Sequence, residues 1–171
     1  MGAPGPAGRR VRVRFAVPAD APAIVSFVRG LAAFEREPPE SVRLTESDLR
    51  RDLFGATPRA EVLIAEQRGR AVGFALFFAN YSTWEGRPGL YIEDLFVEEA
   101  ARSQGVGRAL MAAVARLARE RGCARVELSV LDWNPARAFY ERLGMRWMRE
   151  WLPYRLDGAA LDALAAEGEQ A

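Results

Sequence analysis

The chain has 171 residues, half of them hydrophobic and about a quarter charged, with a net charge of +1. That length suits one domain with a substantial core, and so even a charge balance gives no electrostatic case for nucleic acid or an anionic membrane. With no histidine and one cysteine, Cys123, an internal disulfide, every histidine triad and the commonest metal ligand are excluded, and acid–base chemistry falls to carboxylates, tyrosine or water. No metal site is expected, and nothing argues against a cytoplasmic setting.

Met1 to Arg10 is rich in Gly, Pro and Ala and reads as a disordered tail. It lacks the long apolar run of a secretory signal, and Pro6 stands where a myristoylation start wants Ser or Thr. No run approaches a transmembrane span. Val11, Val13, Phe15 and Val17 alternate as in a half-buried first strand. Asp20 is placed to cap a helix in which Ile24, Phe27, Val28, Leu31 and Phe34 recur at helical spacing, up to Pro38-Pro39. Thr45 and Asp48 form a capping-box pattern for a short helix ending at Gly55. Glu61 to Glu66 and Ala71 to Ala79, joined by Arg68-Gly69-Arg70, read as an antiparallel hairpin, and Asn80 to Gly89 as a loop.

Leu90 to Val97 predicts a strand. Val106, Leu110, Met111, Val114 and Leu117 predict an amphipathic helix ending at Gly122, and Val126 to Leu131 a further strand. Together they form a right-handed parallel βαβ unit. Asn134-Pro135 opens another helix, which Gly144 ends. Met145 to Trp151 and Tyr154 to Leu156 read as closing strands, and residues 159–171 as a weak helix or tail. The domain is expected over residues 11–158.

The richest stretch for chemistry is Arg102-Ser103-Gln104-Gly105-Val106-Gly107, followed by Arg108, between a strand and a helix. A helix start offers unpaired N–H groups and positive dipole charge to a phosphate. Gly105 and Gly107 carry no Cβ to hold a diphosphate off the backbone, and Arg102 adds fixed charge. A P-loop would need Lys-Ser or Lys-Thr where Arg108-Ala109 stands, and a dinucleotide fingerprint a third Gly where Leu110 stands. Arg-x-x-Gly-x-Gly after a strand instead resembles the acetyl-CoA loop of the GNAT N-acetyltransferase family. The element order matches that family from about Val11 to Leu156. Asn134-Pro135-Ala136-Arg137-Ala138-Phe139-Tyr140-Glu141-Arg142-Leu143-Gly144 resembles its second signature.

Tyr91 to Val97, Tyr81 to Trp84 and Leu31 to Glu35 resemble the diamine (spermidine/spermine) acetyltransferase branch. However, Tyr81-Ser82-Thr83-Trp84 is more similar to the sister branch associated with thialysine. Ser82-Thr83 stands where polyamine enzymes carry Asp, which makes a shorter amine or an ω-amino acid as plausible an acceptor as a long polycation.

The resemblance implies an α/β (α+β) GNAT fold: a mixed central sheet of about six to seven strands with a splayed parallel pair and flanking helices. It implies acetyl-CoA as cosubstrate, a small primary amine as acceptor, direct transfer in a ternary complex, and a homodimer. Asp94-Leu95-Phe96-Val97 would pair with pantetheine, with an N–H near Leu95 or Phe96 facing the thioester carbonyl. Arg102 to Arg108, Asn134 and Tyr140 would contact CoA, and Tyr140 would protonate its thiolate. Asn134 also reads as a helix cap, and Phe139-Tyr140 as core aromatics.

Glu93 and Asp94 are costly to bury unpaired in an apolar strand and would attract a cationic amine. Adjacent strand residues face opposite sides, so both reach one cleft only across a β-bulge. Glu93, directly or through water, is the expected base, and Asp94, Glu35, Trp84 and Ser82 the expected amine contacts; a lone Glu35 also reads as a solvated helix-end charge. The alternatives are an amino-acid or antibiotic amine acetyltransferase and a non-catalytic acyl-CoA-binding module.

Overall fold

The computed structural model describes residues 10–168, so all but the last residue of the expected N-terminal tail lies outside them. One unit ends at Asn134 and a second begins at Pro135. The first holds β1 (Arg12–Phe15), α1 (Ala21–Phe34), α2 (Glu46–Phe54), β2 (Glu61–Gln67), β3 (Arg70–Ser82), β4 (Arg87–Val97), α3 (Val106–Glu120) and β5 (Val126–Leu128). The second holds α4 (Ala136–Arg142) and α5 (Gly158–Gly168).

The strands lie in chain order, antiparallel from β1 to β4 and parallel at β4–β5. Four consecutive β2 residues, Val62 to Ala65, are buried, the signature of a strand covered on both faces. Val62, Ile64, Phe74 and the half-buried Phe96 pack with Ile24 and Phe27 of α1 and Leu49 and Leu53 of α2. Leu63 and Ala65 point the other way, and α3 packs against β2, β3 and β4 with Val106, Leu110, Val114 and Leu117 buried. The helical periodicities of α1 and α3 thus find the core they predict, whereas on the first strand's expected apolar face Phe15 and Val17 are exposed and Val17 lies beyond β1.

Other expectations change as well. Asn80 to Gly89 is not a loop: β3 and β4 continue through Tyr81↔Pro88 and Ser82↔Arg87, leaving a turn of residues 83–86. Polar Asn80 is accommodated because its amide donates to Glu127 on β5, 2.9 Å.

The sheet has five strands rather than six to seven, because Met145 to Trp151 and Tyr154 to Leu156 form none. Apolar content makes a strand only where an edge is there to pair with. Here the Trp151 N–H closes a turn on Met148 O, Pro153 has no N–H to give, and Trp147, Trp151 and Tyr154 are exposed.

Asp20, expected to cap α1, stands at its start without a side-chain cap bond. Its carboxylate instead accepts the Val17 N–H at 2.8 Å and two Arg14 nitrogens at 2.7 and 2.9 Å. Hydrogen bonding to Arg14 holds the Asp20 carboxyl below its usual range. A depressed carboxyl contributes stability that is present above its unfolded pKa and lost as pH falls through its folded one. Asp20→Asn should therefore lower stability at pH 7 by about 1–3 kcal/mol. Urea denaturation should show the deficit closing under acid conditions, and an unchanged midpoint at pH 7 would show the network to be dispensable.

Candidate active site

The bulge that two adjacent acids require is present. Leu76 pairs with Asp94 and Phe77 with Ile92, so Glu93 has no partner on β3 and is the extra residue of β4. Glu93 is exposed and Asp94 half-buried. Burial pushes the Asp94 carboxyl up to about 6, with the charges of Glu93 and then Glu35 adding to it. Glu35 is itself raised, by burial and then by Glu37.

The parallel ladder ends at the same place. Leu90, Tyr91 and Ile92 pair with Val126, Glu127 and Leu128, and beyond them β4 runs on to Val97 with β3 alone beside it. The Tyr91 hydroxyl donates to Ser129 Oγ at 2.7 Å just past the split. The expected splayed pair is thus present, and among the described residues no strand pairs with β4 on that side along Asp94-Leu95-Phe96-Val97. An open edge is where an extended ligand with amide groups adds to a sheet.

The end of α1 closes over one face of this edge. Asp94 and Phe96 are two apart and so share a face, the one on which Phe96 packs against the α1 core. Gly30 makes room for the Phe96 ring, since a Cβ there would lie 2.8 Å from Phe96 Cζ. One turn on, Phe34 lies 6.2 Å from Trp133. Glu35, the next residue, is the one whose charge reaches Asp94. Gly30 and Trp133 were not singled out from the sequence. A glycine inside an otherwise apolar helix period was the available signal for the first, and none marked the second.

In the glycine turn, Gly105 starts α3 at φ 83° with no side chain capping the helix. A Cβ at Gly105 would meet nothing within 4 Å. The glycine is therefore needed here for its left-handed backbone. Val106 is buried, Gly107 is the second residue of α3, and Ser103, Gly105 and Arg108 are exposed. The Gln104 amide donates to Ala100 O, 2.7 Å.

Arg102 is anchored at the end of β4. Its guanidinium carbon sits 4.8 Å from the Phe34 ring centre and 5.8 Å from that of Phe96, and its Nε donates to Val97 O at 3.0 Å. It clamps the end of β4 to the end of α1.

Two expected residues, Ser82 and Trp84, lie at the far end of the β3–β4 hairpin from the carboxylates. Ser82 is buried, its hydroxyl accepting from the Glu85 N–H and from Arg125, so it holds the hairpin turn. Trp84 is 88% exposed at that turn, and the strand from Arg87 to Glu93 spans about 20 Å. Asn134 is buried. Tyr140 lies on α4 in the second unit, its ring 5.3 Å from Phe139. Among the described residues no three His, Cys, Asp or Glu side chains group as metal ligands.

An open strand edge beside an uncapped, glycine-started helix suits a long ligand with amides at one end and a diphosphate at the other. A desolvated carboxylate beside that edge suits a cationic amine. The comparisons agree with this chemistry. The acetyltransferase (GNAT) family model matches residues 28–145. The chain is 36% identical to a thialysine N-epsilon-acetyltransferase of Bos taurus, over 92% of this chain and 98% of that one. It is 33% identical to an L-ornithine N5-acetyltransferase of Arabidopsis thaliana, over 93% and 90%. Among solved structures, an integron cassette protein from the V. cholerae mobile metagenome superposes with a TM-score of 0.75 at 26% identity, over 91% and 97%.

Proposed function

The chain belongs to the GNAT acetyltransferase family and is an acetyl-CoA-dependent N-acetyltransferase of small amines, and from that premise we propose how its residues divide the work. The observation that carries the reading is the Glu93 bulge, which sets a desolvated carboxylate at the open end of the β4–β5 pair. Acetyl-CoA supplies the thioester whose acetyl group is transferred. The edge of β4 from Asp94 towards Val97 takes pantetheine, short of Val97 O, which Arg102 Nε occupies, and residues 103–108 with the first N–H groups of α3 take the diphosphate. A main-chain N–H near Leu95 or Phe96 donates to the thioester oxygen as it gains charge. Asn134 contacts the pantetheine arm.

An amine arrives as ammonium and must lose a proton before its lone pair can attack. Asp94 binds the ammonium and takes that proton. Its raised carboxyl is closer to neutrality than an ordinary aspartate and so better matched to the task. Glu93, on the exposed bulge, and Glu35 keep the entrance negative and hold Asp94 high. As the new C–N bond forms, the C–S bond breaks and Tyr140 gives its phenolic proton to the departing thiolate. The family signature around Tyr140 supports that role.

The acceptor class is a short diamine or a thialysine-like ω-amino acid. The protein is also proposed to be a cytoplasmic homodimer. Trp147, Trp151, Leu152 and Tyr154 are all exposed, more apolar surface than one short segment commonly leaves to solvent, and Trp84 gains a place at the acceptor channel only if a second copy presents it. No described helix is long and apolar enough to cross a membrane.

The test is CoA thiol release from acetyl-CoA with spermidine, putrescine, lysine and thialysine in parallel, against a control without amine. Selective turnover of one short amine is the expected result. Acetyl-CoA binding with no turnover of any amine would favour the non-catalytic module. Sedimentation at micromolar protein should give twice the 18.9 kDa chain mass.

A further inference from the structure

The acceptor site has a cationic pole as well as an acidic one. Arg36 follows Glu35 directly, and its guanidinium carbon lies 4.8 Å from the Trp133 ring centre. Trp133 in turn packs on Phe34. The guanidinium therefore stands on the aromatic pair that borders the acidic cleft. Among the described residues no carboxylate lies within 4 Å of it. A guanidinium stacked on a ring keeps its donor edge free, and that flat fork matches a carboxylate.

The backbone marks the same residue, as it does Arg68 and Ser103. α1 ends in a Schellman motif: the Glu37 N–H bonds to Ala32 O at 2.9 Å and the Arg36 N–H to Ala33 O at 3.2 Å. Arg36 occupies its left-handed position at φ 64°. Glycine is the residue that takes this position without strain. A long cationic side chain held where glycine folds more easily points to a functional demand on the side chain.

We infer that Arg36, braced on Trp133, binds the α-carboxylate of the acceptor, making this chain selective for an ω-amino acid over the corresponding diamine. The inference rests on the amine-acetyltransferase reading above. The ω-ammonium goes to Asp94 and Glu35, and the carboxylate end goes to Arg36. Glu35 and Arg36 are adjacent, so the turn that ends α1 sets opposite charges side by side for the two ends of a zwitterion. A diamine would bring a second cation to a guanidinium, which is repulsive.

The test compares kcat/KM for thialysine with that for its decarboxylated analogue, bis(2-aminoethyl) sulfide, in the wild type, Arg36→Gln and Arg36→Lys. Arg36 is exposed, and unchanged thermal midpoints would show that the variants fold. Arg36→Gln should lose about 10- to 100-fold on thialysine, the range for a charge-assisted hydrogen-bonded pair, mostly through KM. On the diamine it should lose nothing or gain, since the repelling charge is gone, and Arg36→Lys should recover part of the loss on thialysine. Equal losses on both acceptors, or none on either, would overturn the assignment while leaving the transferase reading intact. If neither acceptor turns over, the transferase reading fails instead. Titration of tryptophan fluorescence by thialysine in the presence of CoA then decides on Arg36 alone: weaker binding in Arg36→Gln supports the pole, and equal binding or no binding refutes it.

Discussion

Asp94→Asn is expected to cut kcat/KM for the acceptor amine by about 10²- to 10³-fold and, at neutral pH, to make the protein more stable. The two effects have one cause. Asp94 is an acid desolvated beside two other acids, Glu93 and Glu35, and its carboxyl stands at about 6 against an ordinary 3.8. The folded state therefore holds that proton more tightly than the unfolded chain does. The stabilising contribution is full below the unfolded pKa and is lost as pH rises through the folded one, so at pH 7 the ionised Asp94 opposes folding. By linkage the opposition amounts to roughly 3 kcal/mol. Asparagine removes the charge, and a gain of about 1–3 kcal/mol in urea denaturation at pH 7 follows. The gain should shrink towards pH 4. A variant that is both inactive and less stable at pH 7 would mean that Asp94 is paired in the folded protein and belongs to the scaffold.

Tyr140→Phe should lower kcat by about 10²-fold with the acetyl-CoA KM within roughly threefold of wild type. Phenylalanine keeps the ring that packs on Phe139 and removes the hydroxyl group. A large loss in kcat with unchanged thermal stability would therefore be a loss of proton donation. Unchanged kcat would take Tyr140 out of the mechanism and leave solvent to protonate the thiolate.

Much of this site could be read from sequence because its features are local. Two adjacent carboxylates in an apolar strand are compatible with burial on one side only across a bulge, and the register breaks at Glu93 as that requires. The glycine turn announces a helix start, and Gly105 provides it. The strand–helix–strand order fixed a parallel pair, and its early end at Leu128 opened the edge.

What sequence left unread depends on contacts between distant elements. Arg102 shows a charge but not where the guanidinium lies, and it lies beside the Phe34 and Phe96 rings. Ser82 reads as a loop hydroxyl only until Arg125 and the Glu85 N–H are found to occupy it. Glu93 and Asp94 are equivalent as letters. Burial and Glu35, brought over by α1, distinguish them and move the proposed proton acceptor from Glu93 to Asp94. The run from Met145 to Leu156 has the composition of strands but pairs with no edge.

The central claim is that Asp94, raised by its surroundings at the opened end of β4, takes the proton from the acceptor amine. The pH dependence of kcat/KM for a short amine, measured from pH 4.5 to 8.5 in wild type and Asp94→Asn, tests it most directly. The account predicts a rate that climbs with pH through an apparent pKa near 6 in the wild type, and a much lower rate without that limb in the variant. A wild-type profile flat across this range, or a limb that survives in Asp94→Asn, would contradict it.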